Sequence, residues 1–181
     1  MTLVVNLFGG PGTGKSTTAA GVFHQLKLQG INCEMALEYA KDKVWEESAQ
    51  VLDNQLYVFG KQFHRIWRLL GKVDIIITDS PLLNSILYYE DKNPFFPEMV
   101  VFEHSRLNNL DVLLGRVKEY NPAGRLQTEE KARDLDDKIR GILDIESPTY
   151  INVTADASAV DVIVAQALLH WATMIAVEDL E

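Results

Sequence analysis

The first 28 residues constrain the fold of this chain more than any other stretch. Leu3–Phe8 is an unbroken apolar run of strand length, typical of a central strand covered on both faces. Residues 9–16 read GGPGTGKS, and a helical pattern then continues to about Leu28. The eight residues fit G-x-x-x-x-G-K-[ST] and lie between a strand and a helix, which is the context that this phosphate-binding motif requires. We therefore expect an α/β fold in which the first strand leads directly into a phosphate site.

Each residue type in this loop suits the binding of phosphate. Glycines let the backbone approach a phosphate closely, and the N–H groups at the start of the following helix attract its charge. Lys15 is predicted to reach the β- and γ-phosphates, Ser16 to bind Mg²⁺, and Thr17 to contact the α-phosphate. A glycine-rich turn without a ligand is the alternative. The predicted nucleotide-binding residues are Gly10, Pro11, Gly12, Thr13, Gly14, Lys15, Ser16 and Thr17.

The rest of the chain alternates between strand-length apolar runs and helical segments, which favours a parallel sheet flanked by helices. Further strands are predicted at 31–37, 73–79, 110–114 and 149–153. Helices are predicted at 39–47, 54–70, 82–89, 98–108 and 128–143, with a last one from about 159. No linker or repeat divides the 181 residues, so a single domain is expected.

Composition narrows the classes of partner and compartment. The net charge of −9 provides no overall positive field for nucleic acid or an anionic membrane. The lone Cys33 cannot form an internal disulfide and is expected to be a small buried residue in a reducing compartment. Residues 1–8 are too short and uncharged for a signal peptide. Ala159–Val177 is apolar but contains Asp161, Gln166 and His170, so a packed helix is expected rather than a membrane span. A cytoplasmic protein is predicted.

Asp79 ends the apolar run 73–79 and is predicted to share the Mg²⁺ with Ser16. The alternative is an Asp that caps the next helix. The following residue is Ser80, whereas ATPases that perform mechanical work commonly carry a Glu there to activate water. The chain also has no N-K-x-D signature of guanine-specific switches. These features favour phosphoryl transfer to a bound acceptor over hydrolysis.

The acceptor side is expected beyond the carboxyl ends of the strands, where open α/β sheets bind their ligands. Glu38 follows the second strand and is predicted to orient or deprotonate the acceptor hydroxyl. The alternative is a residue favoured at a helix start by the dipole. Tyr39 and Trp45 lie near it and could stack on a base, although each type of residue is more often part of the core.

Lys61, Arg65 and Arg68 form a basic stripe on the helix predicted at 54–70. One interpretation is a solvated face on an acidic protein. The other is an acceptor-binding surface, through which the protein could engage the backbone of a polynucleotide.

A lid is predicted at 116–128, because this stretch contains Pro122 and Gly124 and precedes a helix that Thr128 can cap. Its cations Arg116 and Arg125 are the candidates to neutralise charge on the γ-phosphate as transfer proceeds.

With these residues identified, the chain resembles the small P-loop kinases of the nucleoside and nucleoside-monophosphate kinase superfamily. The motifs that carry the resemblance are the loop at 9–16, Glu38-Tyr39-Ala40-Lys41, Thr78-Asp79-Ser80-Pro81, and Gly124-Arg125 with Gln127-Thr128-Glu129. It is more closely similar to the kinase domain of ribosylnicotinamide kinases, which carry E-Y-A-R after the second strand. It is also similar to phage-encoded proteins often labelled only as ATPases.

The resemblance implies one P-loop kinase domain over residues 1–181, a three-layer sandwich with strand order 2-3-1-4-5 and a mobile lid. It also implies acceptor-binding helices at 39–72, ATP as the donor, and contact of Glu38 with the hydroxyl that is phosphorylated. Deoxynucleoside kinases carry an Arg after the acidic residue where Pro81 stands here, which argues against a free deoxynucleoside as acceptor.

The function predicted is an ATP- and Mg²⁺-dependent phosphotransferase acting on a nucleoside-type hydroxyl, with Lys15, Glu38, Asp79, Arg116 and Arg125 as catalytic residues. One hypothesis for the acceptor is a hydroxymethylpyrimidine base in phage DNA, since some phage kinases of this build act on such bases. A free nucleoside, nicotinamide riboside or a nucleoside monophosphate is the alternative. A nucleotide-dependent switch and a catalytically silent nucleotide-binding module remain as other classes, and monomer and dimer are equally open.

Overall fold

A computed structural model describes residues 1–91, 93–117 and 128–178. Its centre is a five-stranded sheet in the order β2-β3-β1-β4-β5, with every neighbouring pair parallel. The strands are β1 (Leu3–Phe8), β2 (Cys33–Ala36), β3 (Ile75–Thr78), β4 (Asn108–Gly115) and β5 (Ile151–Thr154). The predicted α/β class and strand order are therefore confirmed.

Helices cover both faces of this sheet. They are α1 (Lys15–Leu28), α2 (Tyr39–Trp45), α3 (Gln55–Trp67), α4 (Asn84–Leu87), α5 (Phe95–Ser105), α6 (Glu129–Glu146) and α7 (Ala159–Glu178). A 3₁₀ helix, Ala49–Asp53, lies between α2 and α3 and was not predicted. Thr128 caps α6 as predicted, since its hydroxyl accepts from the backbone N–H of Lys131 at 3.3 Å.

The alternation of side chains along β1 builds two cores. Leu3, Val5 and Leu7 point to the layer of α1 and α7, while Val4 and Phe8 point to the layer that contains α3 to α6. All five side chains are at most 1% exposed. This burial fixes the end of β1, and with it the position of the loop that follows.

The boundaries of several elements differ from the sequence prediction. Strand β2 is four residues long rather than seven, and Leu37 beyond it is 47% exposed. Helix α5 begins at Phe95 rather than 98, so that Pro97 lies inside its first turn. Proline is tolerated there because the N–H groups of the first turn have no partner within the helix. The predicted start of this helix at 98 was therefore wrong.

Helix α7 packs on α1 and the sheet through the buried residues Ala159, Ile163 and Ala167, as expected for a packed terminal helix. Its other face exposes apolar side chains such as Leu169, which is 64% exposed. By length and composition, the segment Ala159–Val177 of this helix is long and apolar enough to cross a membrane. It is the one such segment within the described ranges. Cys33 is buried, as predicted, and its burial raises the pKa of the thiol.

Candidate active site

The phosphate loop has the backbone geometry that its glycines predict. Gly9, Gly12 and Gly14 have φ values of 142°, 86° and 103°, a region that disfavours residues with a Cβ. The Thr13 side chain is fully buried, and its hydroxyl donates to the Gly10 carbonyl at 3.0 Å. A Cβ on Gly9 would lie 2.7 Å from that hydroxyl oxygen. Thr13 thus closes the loop on itself, and the positive φ values are typical of loops whose backbone N–H groups bind a phosphate.

Lys15 begins α1 and folds back over the first half of the loop. Its Nζ donates to the carbonyl oxygens of Gly9 at 2.6 Å and Gly10 at 3.1 Å. Burial lowers the pKa of Lys15, while the carboxylates of Glu38, Asp79 and Asp136 act in the opposite direction. A phosphate oxygen would be a stronger acceptor than a carbonyl because it is charged. Lys15 Nζ is therefore positioned to replace its hydrogen bonds to these carbonyl oxygens with hydrogen bonds to phosphate oxygens.

Ser16 and Asp79, which the sequence predicts as ligands of one Mg²⁺, are in direct contact. The Ser16 hydroxyl donates to Asp79 Oδ2 at 2.6 Å, and Asp79 is only 2% exposed. Lys41 Nζ also approaches the Ser16 oxygen, at 3.4 Å. A hydroxyl and a carboxylate are the hard oxygen ligands that Mg²⁺ prefers, and this ion usually takes its remaining ligands from phosphates and water. The described residues contain no cluster of three or more His, Cys, Asp or Glu that could hold a metal ion.

Glu38 is joined to the same carboxylate through its backbone. Its N–H donates to Asp79 Oδ1 at 3.0 Å, so the two oxygens of Asp79 connect the start of α1 with the start of α2. The Glu38 side chain is half-buried and lines the cleft described next. The predicted acceptor carboxylate thus lies beside the predicted metal ligands.

A cleft of about 1000 Å³ extends from the phosphate loop to a wall formed by α2, the 3₁₀ helix and the segment after α4. Trp45 lines it and is 66% exposed. Tyr88 also lines it, and its pKa is raised to about 12 by desolvation and secondarily by the charge of Glu38. Although 41% of the Tyr88 surface is accessible, that surface faces a space walled by protein, which accounts for the desolvation.

The described side chains that line this cleft carry more negative than positive charge. The cations are Lys15 and Lys41. The acidic residues are Glu38, Asp53, Asp79, Glu90 and Asp91. Asp53, Tyr88, Glu90 and Asp91 were not selected from the sequence, because they lie in segments without a motif and reach the cleft only through the packing of α2 and α4.

Tyr39 does not line the cleft. Its side chain is 7% exposed and lies against the guanidinium of Arg65, 5.5 Å from the ring centroid, and the ammonium of Lys43, at 5.4 Å. Its N–H donates to Gln62 Oε1 at 2.9 Å. Of the two interpretations of Tyr39, the structure places it in the core position.

The three cations of the basic stripe do not line the cleft either. Arg65 Nη2 pairs with Asp42 at 2.5 Å and Nη1 donates to the Leu37 carbonyl at 2.9 Å, so this side chain fastens α3 to α2. Lys61 on α3 and Arg68, which directly follows α3, are exposed. The structure therefore does not bring these three cations together with Glu38 and Trp45.

Arg116 lies at the phosphate loop, held by a residue that was not predicted. Its Nη1 donates to the Pro11 carbonyl at 2.9 Å, and its Nε and Nη2 donate to Asp136 Oδ2 at 3.1 and 2.8 Å. The other predicted lid cation, Arg125, lies outside the described residues, as do residues 118–127 of the predicted lid.

Comparison with known proteins supports the same fold. The sequence pattern of a family described as "AAA domain" matches residues 4–159. The chain belongs to this family. A solved structure titled "Crystal structure of NadR protein in complex with NAD and AMP-PNP" superposes with a TM-score of 0.68 at 15% identity. The match covers 94% of this chain and 49% of the NadR chain, so the chain spans about half the length of that protein. No curated protein matches the chain. The fold likeness agrees with the resemblance to small P-loop kinases.

Proposed function

We propose that the protein is an ATP- and Mg²⁺-dependent kinase that transfers the γ-phosphoryl group to a hydroxyl of a nucleoside-type acceptor. The observation that carries the proposal is the shared position of Asp79. One of its carboxylate oxygens accepts from Ser16 of the phosphate loop, and the other accepts from the backbone of Glu38 at the cleft. A single buried carboxylate thus links the start of α1, which carries Ser16, to the start of α2, which carries Glu38. The proposed metal ligands and the proposed acceptor residue therefore lie next to each other, and such positioning is the main requirement of phosphoryl transfer.

Each residue has a role in this mechanism. The N–H groups of the loop and Lys15 bind the phosphates, and Ser16 with Asp79 supplies the protein ligands of the metal. Glu38 orients the acceptor hydroxyl and takes its proton as the oxygen bonds to phosphorus and the bond to the leaving ADP oxygen breaks. Mg²⁺ supplies charge neutralisation at the β- and γ-phosphates when it is bound with ATP. Arg116 adds a second cation at the loop.

ATP is proposed as the donor because the family resemblance implies it and because the NadR structure of the same fold is titled as a complex with AMP-PNP. The switch hypothesis has less support. It shares the phosphate loop and the metal ligands, but Ser80 follows Asp79 where work-performing ATPases commonly carry a Glu.

The charge of the cleft favours a small acceptor, uncharged or cationic, over a nucleic acid or a nucleoside monophosphate. Among the described lining residues the acidic ones outnumber Lys15 and Lys41, and like charges placed together in a binding site are unfavourable. A polynucleotide needs cations along its backbone, and the stripe of Lys61, Arg65 and Arg68 does not line the cleft. Trp45 provides an exposed aromatic face on which a base could stack.

The test is transfer of label from γ-labelled ATP in the presence of Mg²⁺ to a panel of acceptors. The panel contains free nucleosides, nicotinamide riboside, nucleoside monophosphates, and DNA with and without hydroxymethylpyrimidines. We expect label on a free nucleoside-type compound, and none with Lys15→Ala. Label on modified DNA would support the polynucleotide hypothesis against the cleft argument. Slow ATP consumption with no labelled acceptor would overturn the kinase proposal in favour of a switch.

A further inference from the structure

Asp136, a residue that no motif singles out, lies against the phosphate loop. It is on α6, and its Oδ1 accepts from the backbone N–H of Gly10 at 2.5 Å. The backbone of α6 is equally close, because a Cβ added to Gly10 would overlap the Ala132 carbonyl oxygen and lie 2.7 Å from Asp136 Oδ1. Helix α6 is therefore packed directly on the first half of the loop.

The other oxygen of Asp136 holds Arg116. It accepts from both Nε and Nη2, a two-point contact that fixes the plane of the guanidinium as well as its position. A third N–H, on Nη1, donates to the Pro11 carbonyl. Three of the five N–H groups of the guanidinium are thus occupied. The other two have no hydrogen-bond partner among the residues that the structure describes.

Charge explains why this arrangement needs Asp136. Lys15 donates to the carbonyls of Gly9 and Gly10, and Arg116 donates to the next carbonyl along, that of Pro11. The positive charge of Arg116 lowers the pKa of Lys15, although less than burial does, and the negative charge of Asp136 raises it. The Arg116 side chain is only 8% exposed, so water offers it little compensation. Asp136 is the carboxylate that pairs directly with Arg116, and with Glu38 and Asp79 it offsets the positive charge of Lys15.

We propose that Asp136 is a positioning residue for phosphoryl transfer: it holds Arg116 at the mouth of the phosphate loop, so that the remaining N–H groups of the guanidinium meet the terminal phosphate of ATP. This inference rests on the proposed function for the step that is accelerated. The recognition of the third phosphate, however, can be measured without any acceptor. ADP lacks that phosphate, so contacts to it appear only in the difference between ATP and ADP binding.

Asp136→Asn separates the two contacts of this side chain. The amide oxygen can still accept from Gly10, but the amide N–H₂ then faces the N–H groups of Arg116, and donors cannot pair with donors. Isothermal titration calorimetry would compare ADP with a non-hydrolysable ATP analogue, both with Mg²⁺. We expect little change in the Kd for ADP and a loss of about tenfold in the preference for the analogue, the effect of one charge-assisted hydrogen bond. Asp137→Asn, an exposed Asp on the same helix, is the matched control and should leave both Kd values unchanged.

A double-mutant comparison tests whether Asp136 acts through Arg116. In an Arg116→Ala background, Asp136→Asn should cause no further loss of analogue preference, because the group it positions is gone. Arg116→Lys keeps the charge without the two-point contact and should resemble Asp136→Asn; its thermal unfolding verifies that it folds. Equal weakening of ADP and analogue by Asp136→Asn, or losses that add in the double variant, would overturn the positioning role. Neither result depends on finding the acceptor, so failure of this inference is distinguishable from failure of the kinase proposal.

Discussion

Replacing Gly10 by alanine tests whether α6 is packed directly on the phosphate loop. Gly10 is not among the glycines with positive φ, so alanine can adopt its backbone conformation. The obstacle is space, because the new methyl group would overlap the Ala132 carbonyl oxygen and approach Asp136 Oδ1 to 2.7 Å. The Asp136 side chain can rotate, but the Ala132 carbonyl belongs to the helix backbone and can move only with α6.

Overpacking of this kind costs about 1–3 kcal/mol in the free energy of unfolding. For a domain of this size each kcal/mol corresponds to about 2–4 °C in Tm. We therefore expect Gly10→Ala to lower the Tm by several degrees and to weaken nucleotide binding, since α6 must shift away from the loop.

Gly141→Ala is the control for the same chemical change. Gly141 is exposed on α6, and a Cβ there would meet nothing within 4 Å. Alanine should stabilise the helix by about 0.5–1 kcal/mol, because it loses less conformational entropy on folding than glycine. Urea unfolding of both variants gives the two free energies. If Gly10→Ala proved as stable as the unchanged protein, or shifted in the same direction as Gly141→Ala, the packing of α6 on the loop would be refuted.

Three further outcomes are expected. Glu38→Gln should leave ATP binding intact and reduce transfer by roughly 10²–10⁴ if Glu38 is the general base; an unchanged rate in the labelled-ATP assay would reduce Glu38 to a helix-start residue. The same variant should lower the pKa of Tyr88 below its value of about 12, because the Glu38 charge contributes to that value; absorbance titration at alkaline pH, with Tyr88→Phe as the blank, would show no shift if the two groups did not interact. Neutralising Lys61 and Arg68 together, with Arg65 kept because it fastens α3 to α2, should leave transfer to a free nucleoside nearly unchanged. A large loss of transfer to DNA, or a weaker dependence of that transfer on salt concentration, would instead support the hypothesis of a polynucleotide acceptor.

The local part of the site could be predicted because its determinants are adjacent in the chain. The loop at 9–16 requires glycines at positions with positive φ, and the strand before it requires apolar residues on both faces. Asp79 follows from the same logic, since a carboxylate at the end of a buried parallel strand must lie at the sheet edge where the loop also lies. The hydrogen bond of 2.6 Å between the Ser16 hydroxyl and Asp79 Oδ2 is a consequence of the strand order, which places β3 beside β1.

The acceptor side was harder to predict because an aromatic or charged side chain on a short helix can face the core, the cleft or solvent. Tyr39 and Trp45 belong to one helix, yet the first is 7% exposed beneath Arg65 and the second is 66% exposed in the cleft. Only the docking of α3 on α2 decides between these positions. The same docking occupies Arg65 with Asp42, which a helical stripe of cations does not reveal.

The sequence by itself therefore determined the phosphate loop and the α/β class, because both depend on short-range patterns of glycine, lysine, serine and apolar residues. The metal-binding role of Ser16 and Asp79 stays a prediction. Tertiary structure alone decided the charge of the cleft and the contact of Asp136 with Gly10, two residues 126 positions apart in the chain. Contacts between residues so far apart in the chain depend on where a whole helix packs against the sheet. No local pattern encodes that position, since the side chains on α6 follow the same helical periodicity wherever the helix is docked.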